Sequence, residues 1–258
     1  MSTAPVFGWQ AADGLRSGSR VRLDGPEGRH AALVRRLKPG ERVDLCDGFG
    51  HVAECVVVAA HKEALDLDVV TVVSEPAPAP RIVVVQALPK GDRGETAVET
   101  MTEIGVDVVV PWAAGRSITQ WRGERGEKAL AKWRAAAREA AKQSRRSWWP
   151  VIEPQATTAE VAKLIAAAGQ ALILHEDAET PLAGLDVVGA GSGGGGGGSV
   201  GGDIVLVIGP EGSISPQEMD AFLAVGARAC RMGPTVLRTS TAGTAAATVV
   251  LAKSGRWS

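Results

Sequence analysis

The sequence predicts an α/β chain in two parts: a small all-β region, then a larger domain built on a mostly parallel sheet. Three observations carry that expectation. Residues 1–75 hold short apolar runs separated by turn signals. The Pro/Ala segment EPAPAP at Glu75–Pro80 then interrupts the pattern and reads as an extended, semi-rigid linker. From Arg81 onward, strand-like runs alternate with helical stretches, the order that covers both faces of a parallel sheet with helices. The expected organisation is 1–75, a linker at 76–80, and 81–258.

Taken in order, the first part reads as strands at Arg20–Leu23, Arg42–Cys46, His51–Val58 and Leu65–Val73. Asp47-Gly48 between two alternating runs is a hairpin signal. Gly28–Leu37 has room for one helix, ended by Pro39-Gly40. A small barrel or curled sheet results. In the second part Ile82–Ala87 and Val106–Val110 read as buried strands, the latter ended by Pro111. Between them Gly94–Ile104 has helical spacing, with Val98, Met101 and Ile104 on one side. Glu127–Arg146 predicts a long helix whose buried stripe is Leu130, Trp133, Ala137, Ala140 and Ser144; Lys128, Lys132, Arg138, Lys142, Arg145 and Arg146 fall mostly off that stripe. Thr157–Ala168 reads as a Thr-capped helix, Ala171–Leu174 as a strand, and Gly189–Gly202 as a flexible low-complexity loop. Ile204–Ile208, an amphipathic helix opened by Ser215-Pro216, the strand Arg228–Arg231 and a small-residue helix from Thr239 complete the chain.

Composition bounds the function. The chain has 258 residues, 45% hydrophobic and 22% charged, which are globular values with enough length for a sizeable core. No apolar run is long enough for a membrane span, and MSTAPVFGWQ lacks the pattern of a secretory signal. Cys46, Cys55 and Cys230 are scattered, so neither a disulfide framework nor a metal site is expected, and a cytoplasmic location is the default. The formal net charge is −1, yet residues 116–150 carry ten Lys/Arg against three Glu. That is either a solvated helix face or a nucleic-acid footprint on a near-neutral protein.

In parallel sheets, ligands sit beyond the carboxyl ends of the strands. Leu174–Glu176, Gly209–Gly212 and Met232–Leu237 fall there. The GPEG turn, Gly209 to Gly212, offers positive φ or close backbone approach. It is neither a phosphate loop nor a dinucleotide fingerprint, because GxxxxGK[ST] and GxGxxG are both absent. Arg238, between Val236-Leu237 and Thr239-Ser240-Thr241, suits an anionic group, a base edge or a structural ion pair. His175 and Glu176 suit acid–base work or ordinary strand-end polarity.

Several motifs together resemble one family, the uridine-N3 methyltransferases of small-subunit (16S) ribosomal RNA, methyltransferase E, within the trefoil-knotted SPOUT superfamily. They are His30 with Val34–Glu41 and Asp47-Gly48; Ala87–Arg93 with Glu103–Val106; Arg116-Ser117; Trp133, Glu139-Ala140, Gln143-Ser144 and Arg146; Gly209–Gly212; and Met232–Thr239. The resemblance spans nearly the whole chain. It implies an N-terminal PUA-like RNA-binding barrel, a C-terminal α/β SPOUT domain with a knot, a homodimer, and S-adenosylmethionine as cofactor. On that resemblance the cofactor-binding residues are Leu174, His175, Glu176, Ile208, Gly209, Pro210, Glu211, Gly212, Met232, Gly233, Val236, Leu237 and Thr239. Arg238 becomes the catalytic candidate, stabilising charge on the uracil oxygens. Arg20, Arg35, Arg36, Lys90, Arg93, Arg116, Arg145 and Arg146 become phosphate-contact candidates on the ribosomal RNA or small subunit.

Two departures stand out. Ser240 occupies a position where the family often has Glu, and Ser213 one where a third glycine is common, which a turn tolerates if φ there is negative. Another SPOUT methyltransferase acting on transfer RNA or a ribose hydroxyl, and a non-catalytic RNA-binding adaptor, are the competing readings.

Overall fold

The computed structural model describes residues 4–10, 12–187 and 202–257. The glycine-rich loop expected at Gly189–Gly202 lies outside the described residues except for Gly202. The chain divides into two compact units, Met1–Ala77 with Ala141–Trp149, and Pro78–Ala140 with Pro150–Ser258.

The first unit is a five-stranded sheet built from β1 (Val6–Gly8), β2 (Arg20–Leu23), β3 (Arg42–Cys46), β4 (His51–Ala60) and β5 (Leu65–Ser74), with α1 (Gly25–Arg29) after β2. The strand order is β1-β3-β4-β5-β2; β1 runs parallel to β3 and the other pairs are antiparallel. Register irregularities at Glu54/Cys55 and Val57/Ala59 bend β4, as bulges do, and the sheet curls into a half-barrel. Alternation decides its faces. Leu65, Leu67 and Val69 join Phe7, Leu23, Val43 and Leu45 in the core. Asp66 and Asp68 point outward, where they meet Arg22 and Arg20 across the strand pair.

Two local expectations change here. The predicted helix Gly28–Leu37 begins earlier, at Gly25, because Pro26 is pre-set for a first helical turn; it widens into a π-helical turn over His30–Val34. Lys142, expected among the solvated basic residues, is buried: its Nζ lies 3.0 Å from Glu27 Oε1, and its side chain is 5% exposed. A buried lysine requires such a partner.

The second unit is a six-stranded sheet. Its elements are β6 (Ile82–Ala87), α2 (Arg93–Ile104), β7 (Val108–Trp112), α3 (Gly123–Gln143), β8 (Val151–Ile152), α4 (Thr158–Ala167), β9 (Gln170–Leu174), β10 (Ile204–Ile208), α5 (Pro216–Ala224), β11 (Arg228–Cys230) and α6 (Thr239–Lys253). The order is β11-β9-β10-β6-β7-β8 and every pairing is parallel. All residues of β6, β7 and β10 are buried, as expected of strands covered on both sides. On one face Val98, Met101, Trp133, Ala137, Ala246 and Val250 pack over Val84 and Leu206. On the other, Val161, Ile165 and Phe222 pack over Val83, Val205 and Ile173.

Pro111 was expected to end its strand and instead lies inside β7. The backbone of residues 109, 111 and 113 faces the β8 side, where β8 supplies only two residues, so the missing N–H of Pro111 leaves no ladder bond unmade. Helix α4 starts as expected, with Thr157 and Glu160 forming a reciprocal capping box. The long basic helix α3 begins at Gly123 and ends at Gln143, and Arg145 follows at φ 58°. None of the helices among the described residues is long and apolar enough to cross a membrane.

Candidate functional site

The carboxyl ends of β9, β10 and β11 open onto one region. β9 delivers Leu174, His175 and Glu176. β10 delivers Ile208 and the turn Gly209-Pro210-Glu211-Gly212. The chain after β11 delivers Met232 to Arg238, and α6 starts at Thr239. A cavity of about 280 Å³ is lined by Leu174, His175, Glu176, Ile208, Gly209, Pro210, Glu211, Val236, Leu237, Arg238 and Thr239. An adjoining cavity of about 100 Å³ shares Leu174, His175, Glu176, Val236 and Leu237 and adds Met232 and Gly233. Twelve of the thirteen expected cofactor contacts line these two adjoining hollows. Gly212 lines neither hollow; it packs against the chain at Arg116, and a Cβ there would lie 2.9 Å from the Arg116 carbonyl oxygen.

The GPEG turn works by close approach and not by positive φ. Neither Gly209 nor Gly212 has positive φ, but a Cβ on Gly209 would meet Ile214 Cγ1 at 2.8 Å. The residue in the left-handed region is Ser213, at φ 62°. This corrects the condition of negative φ under which a serine there costs nothing; the left-handed region strains any residue with a Cβ. Ser213 Oγ lies 3.3 Å from His175 Nε2, and His175 Nδ1 accepts a hydrogen bond from Asp177 N–H at 3.3 Å.

Two carboxylates and two guanidinium groups line the larger cavity: Glu176, Glu211, Arg93 and Arg238. Glu211 Oε1 accepts from the Lys90 backbone N–H at 3.2 Å. Arg238 is exposed and takes no ion-pair partner among the described residues; its carbonyl oxygen accepts from Thr241 N, Ala242 N and Thr241 Oγ1 and starts α6. Among the described residues the ion-pair alternative for Arg238 finds no partner, and the residue lines the cavity.

Sequence reasoning missed Ser213, Ile214 and Ala242 as lining residues. It also missed Glu218, which ties the loop after β7 to the starts of α4 and α5. Glu218 is 6% exposed. Its carboxylate accepts from Gly115 N at 2.8 Å, Thr158 Oγ1 at 3.1 Å, Ser215 N at 3.0 Å and Ser215 Oγ at 2.7 Å. Burial by itself would push this carboxyl up, but those four donors outweigh it and hold Glu218 below the usual carboxylate value. The available signal was Ser215-Pro216-Gln217-Glu218, a capping-box spacing.

The expected RNA contacts are dispersed. Arg93 lines the larger cavity. Arg116 Nη1 reaches Gly212 O at 3.4 Å, and Lys90 is exposed beside Glu211. In the first unit, Arg35 and Arg145 line a separate hollow of about 110 Å³ with His30 and Lys142. Arg145 donates to the Ala4 carbonyl oxygen, Arg36 is exposed at φ 53°, and Arg146 is half-buried. Arg20 is already bound to Asp68 through two hydrogen bonds of 2.7 and 3.1 Å. The three cysteines are buried and free, their thiols pushed up by burial to about 11 for Cys46 and Cys230 and about 12 for Cys55, so none is a reactive thiolate at neutral pH.

A helix-covered parallel sheet with a loop-lined cavity at its carboxyl ends defines an α/β ligand-binding domain, and comparison with known proteins specifies the class. Residues 75–251 match the model of the RNA methyltransferase domain, and residues 23–70 match that of the RNA methyltransferase PUA domain. A ribosomal RNA small subunit methyltransferase E of Mycobacterium bovis is 42% identical over 93% of this chain and 89% of its own length. The Bacillus subtilis protein of the same name is 25% identical over 85% of each chain. The crystal structure of a ribosomal RNA small subunit methyltransferase E from Neisseria gonorrhoeae, bound to S-adenosyl methionine, superimposes with a TM-score of 0.82 at 25% identity, over 97% of this chain and 98% of that one. The chain belongs to the ribosomal RNA small subunit methyltransferase E family.

Proposed function

We propose that the protein transfers a methyl group from S-adenosylmethionine to N3 of a uridine in small-subunit (16S) ribosomal RNA. The observation that carries the reading is Arg238, exposed and with no ion-pair partner among the described residues, lining the cavity at the carboxyl ends of the strands. The residues present fit such a cofactor. Its ammonium and sulfonium charges suit Glu176 and Glu211, its carboxylate suits Arg93, and the smaller hollow along Met232 and Gly233 suits the adenosine end. When bound, the cofactor supplies an activated methyl group, and the protein has only to position and polarise the target.

Uridine N3 carries a proton at neutral pH and becomes nucleophilic only without it. Arg238 holds the resulting negative charge on the uracil oxygens. The proton leaves to an acceptor among His175, Glu176 and Glu211, which line the same cavity. N3 lies on the pairing edge of uracil, so the base must enter unpaired or flipped out. Lys90, Arg93 and Arg116 beside the cavity, and Arg35, Arg36, Arg145 and Arg146 on the first unit, meet backbone phosphates and set position, not sequence. The same reading includes a trefoil-knotted chain path around Ile204–Ala252, a homodimer and a cytoplasmic location.

The test is mass spectrometry of ribosomal RNA from cells lacking this protein. Loss of one N3-methyluridine from small-subunit RNA, restored by the gene in trans, is the expected outcome. Loss of a transfer-RNA or ribose methyl group instead would replace the reading with that of another SPOUT enzyme. A protein that takes up no S-adenosylmethionine in calorimetry would be an adaptor.

A further inference from the structure

Gln86 is the odd residue of the central strand. It sits near the carboxyl end of β6, among valines, and is 0% exposed. Its Nε2 donates to two carbonyl oxygens, Ala87 at 3.0 Å and Thr239 at 3.2 Å. Both partners are acceptors only, which fixes the orientation of the amide. Its Oε1 is fully buried and has no hydrogen-bond partner among the described residues. The amide lies against Gly243 of α6, where a Cβ would come 3.1 Å from Oε1 and 2.8 Å from Met101 Sδ.

A buried amide oxygen without a partner destabilises the fold, and an apolar side chain of the same size would not carry that cost. What the fold gains is a tie. Thr239 opens α6 directly after Arg238, whose own carbonyl starts the helix. The segment before it is exposed from Pro234 through Leu237. The bond from Gln86 therefore pins the first turn of α6 to a fully buried strand of the sheet, one residue from the guanidinium that the proposed function places at the uracil.

We propose that Gln86 is a positioning residue. By holding the Thr239 carbonyl it sets where Arg238 enters the cavity, and it does so at the expense of stability. The proposal rests on the catalytic reading of Arg238.

The test is a double-mutant cycle on full-length protein, with single-turnover methyl transfer to RNA, thermal unfolding and S-adenosylmethionine affinity measured for each variant. Gln86→Met keeps the volume and removes both the tie and the orphaned oxygen. It is expected to melt at or above the wild-type temperature, to bind the cofactor within about twofold of wild type, and to transfer methyl about tenfold or more slowly, on the order of a lost positioning bond. Arg238→Ala is expected to be slow by itself, and the double variant no slower than Arg238→Ala alone, because coupled residues are not additive. A Gln86→Met rate within twofold of wild type overturns the proposal. So does a rate loss matched by lower melting or weaker cofactor binding, or a double variant whose losses multiply. If Arg238→Ala itself transfers at the wild-type rate, the catalytic reading of Arg238 fails first, and the tie loses its function with it.

Discussion

At the scale of single residues, the GPEG loop shows how backbone geometry assigns roles that residue type leaves open. Gly209 is glycine because Ile214 occupies the space of a Cβ, while Ser213 carries the left-handed conformation that a glycine would take without strain. Strain held at a ligand cavity points toward use of the side chain, and the Ser213 hydroxyl faces His175. Ser213→Gly is expected to stabilise the protein by about 1 kcal/mol, the rough cost of a Cβ in the left-handed region. Urea denaturation checks this: an unchanged or lower midpoint would mean that the hydroxyl contact with His175 outweighs the strain. The serine at 213 was plain in the sequence; its φ was not, because φ is set by the closure of the turn between β10 and α5.

At the scale of elements, Glu218 ties three of them together. Its carboxylate caps α5 through Ser215, meets Thr158 in the first turn of α4, and accepts from Gly115 in the loop after β7. That loop continues into Arg116, whose side chain reaches the Gly212 carbonyl oxygen. The sign of the pH dependence follows from the lowered pKa. The folded state favours the carboxylate, so its contribution is complete above the unfolded value of about 4.3 and is lost as pH falls through the lower, folded value. Glu218→Gln is expected to cost about 2 kcal/mol at pH 7, typical of hydrogen bonds to a charged group. The gap between wild type and variant should narrow below about pH 4; denaturation curves at pH 7 and pH 3.5 that keep the same gap would contradict this. The capping box itself was legible in Ser215-Pro216-Gln217-Glu218. The other two bonds were not, since Gly115 and Thr158 meet Glu218 only through packing of α4 and α5 on one sheet face.

At the scale of the whole molecule, the charge distribution and the RNA reading meet. A near-neutral chain concentrates cations in 116–150, but the structure sorts them into different occupations. Lys142 is buried with Glu27, Arg145 reaches Ala4 and borders the hollow containing Arg35, and Arg134 donates to the Ile152 carbonyl oxygen. Exposed basic side chains contribute to RNA affinity through counterion release, whereas buried, paired ones do not. Replacing Arg35 and Arg145 together by alanine is therefore expected to weaken RNA binding and reduce the slope of log affinity against log salt by roughly one to two. Filter binding across a salt series measures it, and an unchanged slope would remove these residues from the RNA contact. A Lys142→Met variant should leave that slope in place.

The sequence by itself determined five of the six strands of the parallel sheet, most of the helices and most of the residues that line the cavity. Those features are written in local terms: buried strands as unbroken runs of valine and isoleucine, helices as periodic stripes and caps, loops as glycine–proline turns. The family resemblance rested on motifs of the same local kind. Only the tertiary structure decided that Arg238 has no ion-pair partner among the described residues, that Lys142 is buried, that Pro111 stays inside its strand, that Gln86 donates to the Thr239 carbonyl oxygen and that Glu218 accepts from Gly115. Each of these depends on which distant group arrives beside the residue: a Glu27, a two-residue edge strand, a Thr239 carbonyl, a Gly115 amide. Periodicity and propensity act over a turn of helix or a stretch of strand, while the cost of burying a polar group is settled by partners that only the folded chain brings within 3 Å.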